Sequence, residues 1–158
     1  MPLRALRAIC SEAMPRRLIA ALTLTAAVLL AAAPAVGAGS FVATLKAPTH
    51  NPKADRFWRI TVTARSTSGK ALRATAKYQF VFNGQVVATR YPSPNADPSS
   101  ACAKAGNCRH SPWTFRGRFR DTLTWPARSV GTALTFRVVV KVKDRGTKNL
   151  DYAVRVRR

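Results

Sequence analysis

The sequence predicts an all-β fold, an antiparallel two-sheet sandwich, and three observations indicate it. Apolar residues alternate with polar ones along most of the chain after residue 38, which is the period of a strand with one buried face. Asn83-Gly84 separates two such runs, and this dipeptide is the strongest short signal for a β-hairpin. About seven short runs are separated by turn residues, as is typical of β-sandwiches.

Residues 1–38 have the three-part layout of a secretory signal peptide. A short basic segment at 14–17 precedes an apolar run at 18–33, and 36–38 supplies the small residues at which signal peptidase cuts. We therefore expect a signal-peptide helix within 1–38, followed by one β-sandwich domain at 39–158.

Two alternatives remain open for this segment. Met14 begins a complete basic segment of its own, so translation can start there instead of at Met1. The apolar run also approaches the roughly 20 residues that span a bilayer, which would make it a retained anchor. Pro34 and the small residues after it favour cleavage. Cleavage would leave no transmembrane segment in the mature protein and place it in the cell envelope or outside the cell.

The first predicted strand begins at Phe41, where apolar residues recur at every second position as far as Leu45. A loop with two proline residues follows at 47–52. Trp58 then opens a second strand, in which Ile, Val and Ala alternate with Thr and Arg as far as Arg65. β-branched polar residues on the outward positions are typical of a half-buried strand.

A hairpin is predicted over 76–90. Tyr78, Phe80 and Phe82 share the inward face of its first strand, 76–82, with Val81 on the outward face, and the second strand is 85–90. Asn83-Gly84 fills the two positions of a type I′ turn, both of which need a positive φ.

Residues 91–112 form a long loop rich in Pro, Ser, Asn and Asp. Cys102 and Cys108 lie within it, and a close cysteine pair in an exported protein predicts a disulfide. Closing so short a loop stabilises a fold by roughly 2 kcal/mol in the chain-entropy model. The competing interpretation is a metal site with His110, which lacks the close Cys-x2-Cys pair of structural zinc sites. The disulfide is favoured, and we predict no metal or cofactor.

Three more strands complete the predicted fold. One begins at Trp113 and keeps its aromatic residues on one face as it leads towards Trp125. After a turn, the penultimate strand alternates inward Leu, Phe and Val with outward Thr, Arg and Lys over 134–143. The last strand repeats this alternation over 150–157.

In this pattern the chain resembles the bacterial immunoglobulin-like and fibronectin type III-like modules of exported proteins. The residues that carry the resemblance are the strand 58–64, the strand 78–82 with its Asn83-Gly84 turn, and the final pair 134–142 and 150–156. The resemblance implies that the third, penultimate and last predicted strands lie side by side in one sheet. The chain departs from antibody-type domains because it has no cysteine pair to join the two sheets.

The chain is strongly cationic, with 27 Lys and Arg residues, 6 Asp and Glu residues and a formal net charge of +21. Such a charge attracts polyanions, and the candidates are anionic cell-wall polymers, acidic lipid surfaces, acidic polysaccharides and extracellular nucleic acid. Specific nucleic-acid binding is not favoured, because the aromatic residues near the cations, such as Trp113 and Phe115, fall on a predicted core face.

The side-by-side strands would gather six cations and one anion, Asp151, on one outer surface. The six cations are Lys77, Arg137, Lys141, Lys143, Arg155 and Arg157. This surface is a candidate site for a polyanion such as a cell-wall polymer. The alternative is a solvated face whose charges prevent aggregation of sheet edges. Further cations predicted to lie elsewhere favour that alternative; they are Arg65, Arg73, Arg90 and Arg128.

The long loop is a second candidate site, for recognition of a protein partner, because binding residues are often carried by loops on rigid scaffolds. Its candidate contact residues are Tyr91, Lys104, Arg109, His110 and Trp113. The alternative is a tolerated insertion that the disulfide keeps from moving freely.

Catalysis is not predicted. The sequence after residue 38 has two histidines, both in loops, and it lacks a zinc-protease motif, a glycosidase-like carboxylate pair and a Gly-rich phosphate loop. The remaining enzymatic alternative is a hydrolase that uses His110 with Asp97 or Asp121. The sequence therefore favours a secreted or envelope-associated, non-catalytic binding module. The main alternative is a structural or interaction module with no single ligand.

Overall fold

The structure is a computed structural model that describes residues 40–158, and the predicted signal peptide lies outside these residues. Eight strands and one short α-helix form the domain, and a 3-10 turn at Ala127–Ser129 precedes the seventh strand. The elements are β1 Phe41–Lys46, β2 Phe57–Ser66, β3 Arg73–Phe82, β4 Gln85–Arg90, α1 Ala101–Ala105, β5 Trp113–Arg116, β6 Arg118–Thr124, β7 Ala133–Val142 and β8 Gly146–Arg155.

The strands form two antiparallel sheets, which confirms the predicted β-sandwich. One sheet has the order β1-β2-β6, and the other has the order β4-β3-β7-β8, with β5 paired to the first half of β3. The third, penultimate and last predicted strands are β3, β7 and β8. They lie side by side, as the resemblance implied.

The core lies between the sheets and is built from the inward positions that the alternation predicted. Trp58, Ile60 and Val62 on β2 are buried, as are Phe136 and Val138 on β7. The indole of Trp58 meets the ring of Phe136 edge-on, with 5.4 Å between the ring centroids. Each such side chain contributes roughly 1.5–3 kcal/mol on full burial, so this alternation is the main source of stability.

The β3–β4 hairpin has the predicted turn. Asn83 has a φ of 49° and Gly84 a φ of 78°, so both central residues adopt the left-handed conformation that a type I′ turn needs. A bulge shifts the strand register between Phe80 and Val81, so Val81 is buried and Phe82 is exposed. The prediction that Phe82 faces inward and Val81 outward was therefore wrong.

The prediction of one continuous strand from Trp113 was wrong, because the chain changes sheets at Gly117. The residues before Gly117 form β5 in the five-stranded sheet, and those after it form β6 in the three-stranded sheet. Gly117 has a φ of 70°, and a Cβ there would lie 2.8 Å from the Cβ of Ala71. The aromatic alternation survives the crossing, because Phe115 and Phe119 are both buried and their ring centroids lie 4.7 Å apart.

The loop 47–52 covers part of the free edge of β8. The N–H of Arg155 donates to the carbonyl of His50 at 2.8 Å, and the N–H of Arg157 donates to the carbonyl of Pro52 at 2.9 Å. The imidazole of His50 stacks on the ring of Tyr152, with 4.0 Å between centroids. Covering an edge in this way limits pairing with other chains. Within residues 40–158, no helix has the length and apolar character needed to cross a membrane.

Candidate binding surfaces

The outer side of the five-stranded sheet, here called the five-stranded face, carries four of the six cations predicted to lie together. Because Ala76, Tyr78, Val138 and Val140 are buried, the alternate residues on β3 and β7 point outward. The four are Lys77, Arg137, Lys141 and Arg155. Lys143 follows β7 in a turn, and Arg157 follows β8, where its backbone bridges that of Lys53.

Two more arginines extend this face. Arg73 on β3 lies directly opposite Arg116 on β5, and Thr75 lies opposite Lys141 on β7. At about 4.8 Å between strands and about 6.8 Å between alternate residues, a patch of roughly 10 by 14 Å holds four cations. They are Arg73, Lys77, Arg116 and Lys141, here called the basic corner. Arg73 is therefore part of the face from which the sequence argument omitted it.

The single carboxylate predicted on this face is held by one of the predicted cations. The Arg137 guanidinium donates to both carboxylate oxygens of Asp151, at 2.6 and 2.8 Å. The hydrogen bonds from Arg137 hold the pKa of Asp151 below its ordinary value. Because both groups are partly exposed, the pair adds little to stability. The pairing does neutralise Asp151, so the only carboxylate on this face does not compete with a bound anion for the other cations.

The outer side of the three-stranded sheet, here called the three-stranded face, is a second cationic surface, which the sequence argument missed. Its five cations are Lys46, Arg59, Arg65, Arg118 and Arg120. No Asp or Glu shares their outward positions on these described strands. The sequence pattern for this face was present, because Thr and Arg alternate along β2 and β6. The crossing at Gly117 was not predicted, however, so nothing indicated that these two strands are neighbours.

Threonines fill the positions between these cations. In register across the sheet, Lys46 lies opposite Thr61 and Thr61 opposite Arg120. The hydroxyls of Thr44 and Thr63 in the neighbouring row lie 2.6 Å apart. The face is therefore a flat array of hydroxyl groups and positive charges, with Phe57 exposed at one end.

Asp121 lies inside the domain, where it ties both sheets to the long loop. Its carboxylate accepts a hydrogen bond from the Tyr78 hydroxyl at 2.7 Å and another from the N–H of Ser93 at 3.2 Å. Burial raises the pKa of Asp121 above its ordinary value, although these hydrogen bonds oppose the shift. Burial and the neighbouring carboxylate also raise the pKa of Tyr78.

The carboxylates of the enzymatic alternative are engaged with other partners. Asp121 is bound to Tyr78, and Asp97 accepts hydrogen bonds from the N–H and hydroxyl of Ser99. Within the described part of the chain, neither carboxylate hydrogen-bonds to His110. The same residues contain no cluster of three His, Cys, Asp or Glu side chains placed to hold a metal ion.

The long loop contains the predicted disulfide between Cys102 and Cys108. It also contains α1, a five-residue helix that the sequence argument did not predict. The hydroxyl of Ser100 accepts from the N–H of Ala103 at the helix start, and Gly106 ends the helix with a φ of 66°. These caps and the disulfide give a long loop one defined shape.

The five loop residues predicted for protein recognition do not form one cluster. Arg109 stacks over the indole of Trp113, with its guanidinium carbon 4.9 Å from the ring centroid. Trp113 opens β5 and packs against the core. Lys104 is exposed on α1, His110 is exposed, and Tyr91 is half-buried just after β4.

A cleft of about 1210 Å³ lies where this loop crosses the open side of the sandwich. Its lining includes four large apolar side chains, Phe80, Leu123, Trp125 and Leu134. It also includes five cations, Arg59, Arg90, Lys104, Arg120 and Arg128. We call this space the loop cleft.

This sequence matches no protein-family model and no curated protein. Among solved structures, it is similar to a DUF4466 family protein from Parabacteroides merdae, with 11% identity, a TM-score of 0.45 and coverage of 73% of this chain. The match spans 45% of that protein's length. The chain is also similar to the CARDB domain of a Pyrococcus furiosus protein, which was crystallised in complex with di-metal ions. That match has 11% identity and a TM-score of 0.40, and it covers 74% of this chain and 87% of the other. We transfer no residue role from either structure.

Proposed function

We propose that this domain is an exported, non-catalytic module that binds linear anionic polymers of the cell envelope through its outer sheet faces. The observation that carries the proposal is the arrangement of charge. Both faces present several cations, and the only carboxylate on either face, Asp151, is bound to Arg137. The disulfide supports an oxidising compartment, because such bonds persist outside the cytosol.

A flat cationic sheet suits a polymer better than a compact ligand. One exposed ion pair in water contributes about 0–1 kcal/mol, so a single contact holds nothing firmly. A chain with regularly repeated carboxylate, sulfate or phosphate groups meets several cations at once and releases its condensed counterions. The threonine hydroxyls between the cations add hydrogen bonds to the same groups.

The test is retention of residues 39–158 on heparin and on purified cell walls across a salt gradient. Two double variants each remove two cations, Lys77→Gln with Lys141→Gln on the five-stranded face and Lys46→Gln with Arg118→Gln on the three-stranded face. We expect each pair to elute at lower salt and to reduce the slope of log affinity against log salt by about 1–2.

A matched control removes the same charge from connecting loops instead of from the strands of either face. Lys53 and Lys70 are exposed in loops, so Lys53→Gln with Lys70→Gln lowers the net charge equally. If this control lowers retention as much as either face variant, the charge acts only as background and the proposed faces are wrong. Elution of the unmodified domain near physiological salt would contradict polymer binding altogether.

A further inference from the structure

We propose that the loop cleft is a second binding site, which takes a small amphiphilic anion, a molecule with an apolar body and one acidic headgroup. This site differs from the outer faces in its apolar floor, which belongs to the interior of the sandwich, although Arg59 and Arg120 of the three-stranded face also line its rim. The inference rests on the shape of the cleft, on the chemistry of its lining and on one buried donor.

The cleft exists because the two sheets separate on one side. Gly117 joins β5 directly to β6 and closes that side at one end. Further along, β4 and β6 are both edge strands, and the space between them is crossed by the loop carrying α1. At about 1210 Å³ the cleft is larger than the 300–1,000 Å³ typical of small-molecule sites, so its volume is sufficient for a small molecule.

The floor of the cleft is apolar. Phe80, Leu123 and Leu134 pack against the core but are only partly buried, so they offer apolar surface to a ligand. Trp125 is 3% exposed and lines the same space. Its indole Nε1–H is one of three buried N–H groups without a hydrogen-bond partner among the described residues, and the other two, on Arg109 and Trp113, lie outside the cleft. Buried donors without a partner are uncommon, and an acceptor atom on a ligand would supply one.

The charge of the lining selects for an anion. Arg90 and Arg128 are exposed at the cleft, and the only carboxylate in its lining is Asp121. Asp121 is buried and accepts hydrogen bonds from Tyr78 and Ser93, and within the described residues it forms no ion pair with these arginines. Arg90 lies against Gly106, where an added Cβ would be 3.3 Å from its Cδ. The end of α1 therefore restricts where this guanidinium can lie.

The test uses decanoate as the probe and follows the indole N–H signals by NMR. Trp113 does not line the cleft and serves as an internal reference. We expect decanoate to shift the Trp125 signal in a saturable way while the Trp113 signal moves little. Acetate, which has the headgroup alone, and decanol, which has the chain alone, should each bind at least about ten-fold more weakly.

Variants separate the cleft from the faces. Arg90→Gln with Arg128→Gln should weaken decanoate binding about ten-fold or more. Ala88→Phe should block the cleft, because Ala88 lines it and is half-buried. Lys77→Gln with Lys141→Gln should leave decanoate binding unchanged, and Ala88→Phe should leave heparin retention unchanged. The proposal is overturned if the Trp125 signal does not saturate, if decanol binds as well as decanoate, or if Ala88→Phe binds like the unmodified domain. Each of these results leaves the polymer-binding proposal untouched.

Discussion

Asp121 is a buried charged residue, and its surroundings alter its protonation behaviour. It is 8% exposed, and burial raises its pKa. Between the ordinary pKa of aspartate, about 3.9, and the raised value, the folded state holds more protons than the unfolded state. The free energy of unfolding contributed by this group therefore falls as pH rises through that window.

Replacing Asp121 with Asn should remove this dependence. We expect the difference in free energy of unfolding, Asp121→Asn minus the unmodified domain, to become more positive from pH 4 towards neutral pH, by at most about 1.4 kcal/mol per pH unit. Urea unfolding at a series of pH values measures it. Tyr78→Phe is the companion variant. It removes a hydrogen bond that lowers the pKa of Asp121, so the upper limit of the window should move to higher pH. A difference that does not change with pH would show that Asp121 titrates normally.

Single residues also mark the limit of what sequence patterns predict here. The parity of each strand gave Lys77, Arg137, Lys141 and Arg155 outward positions, and the resemblance to immunoglobulin-like modules placed their three strands side by side. The Arg73–Arg116 pair could not be predicted, because it depends on which distant strand lies beside β3. The role of Asp121 was missed for the same reason. Its partner, Tyr78, lies 43 residues away on the opposite sheet.

At the scale of elements, Gly117 decides whether β5 and β6 can belong to different sheets. An alanine there would hold a left-handed conformation, which costs about 1–2 kcal/mol, and its Cβ would press on Ala71 at 2.8 Å. Crowding of that kind costs a further 1–3 kcal/mol or so. We expect Gly117→Ala to lower the free energy of unfolding by about 2–5 kcal/mol, measured by chemical denaturation.

Gly69 offers the control for backbone strain alone. It has a φ of 84°, and an added Cβ would meet nothing within 4 Å. Gly69→Ala should therefore cost only about 1–2 kcal/mol. Equal losses at Gly69 and Gly117 would mean that the contact with Ala71 adds nothing.

The disulfide should stabilise the long loop more than the central strands. A five-residue helix has no stability of its own in water, and α1 is held by its caps and by the Cys102–Cys108 bond. We expect Cys102→Ser with Cys108→Ser to lower the free energy of unfolding by about 2 kcal/mol. Amide exchange at Gly106 and Asn107, which donate to carbonyls within α1, should become faster. Protection of the central β3 and β7 amides should persist, and its general loss would show that the loop is needed for the whole fold.

The strands themselves were predictable because each shows its own local alternation of apolar and polar residues. The hairpin turn was predictable from the Asn83-Gly84 dipeptide alone. The crossing at Gly117 was not predictable. Phe115 and Phe119 keep the same parity whether the strand continues or changes sheets, so periodicity cannot distinguish the two cases. Because one continuous strand was predicted from Trp113, the neighbours of β2 were unknown, and the three-stranded face could not be predicted.

For the whole molecule, the two cationic faces lie on opposite sides of a core about 10 Å thick. A module of this kind can hold one polymer chain on each face and so bridge them. We expect the domain to make long heparin turbid near charge equivalence. Each single-face pair, Lys77→Gln with Lys141→Gln or Lys46→Gln with Arg118→Gln, should bind heparin but produce much less turbidity.

Chain length separates bridging from simple charge neutralisation. Heparin fragments short enough to occupy one face should bind without turbidity, and they should dissolve an assembly already formed, since each fragment fills a face without reaching a second domain. High salt should reverse the assembly because the contacts are electrostatic. If the control pair Lys53→Gln with Lys70→Gln reduces turbidity as strongly as either face pair, net charge alone drives assembly. Bridging between defined faces is then excluded. A strong loss of turbidity that is confined to the two face variants would instead show that assembly needs both faces at once.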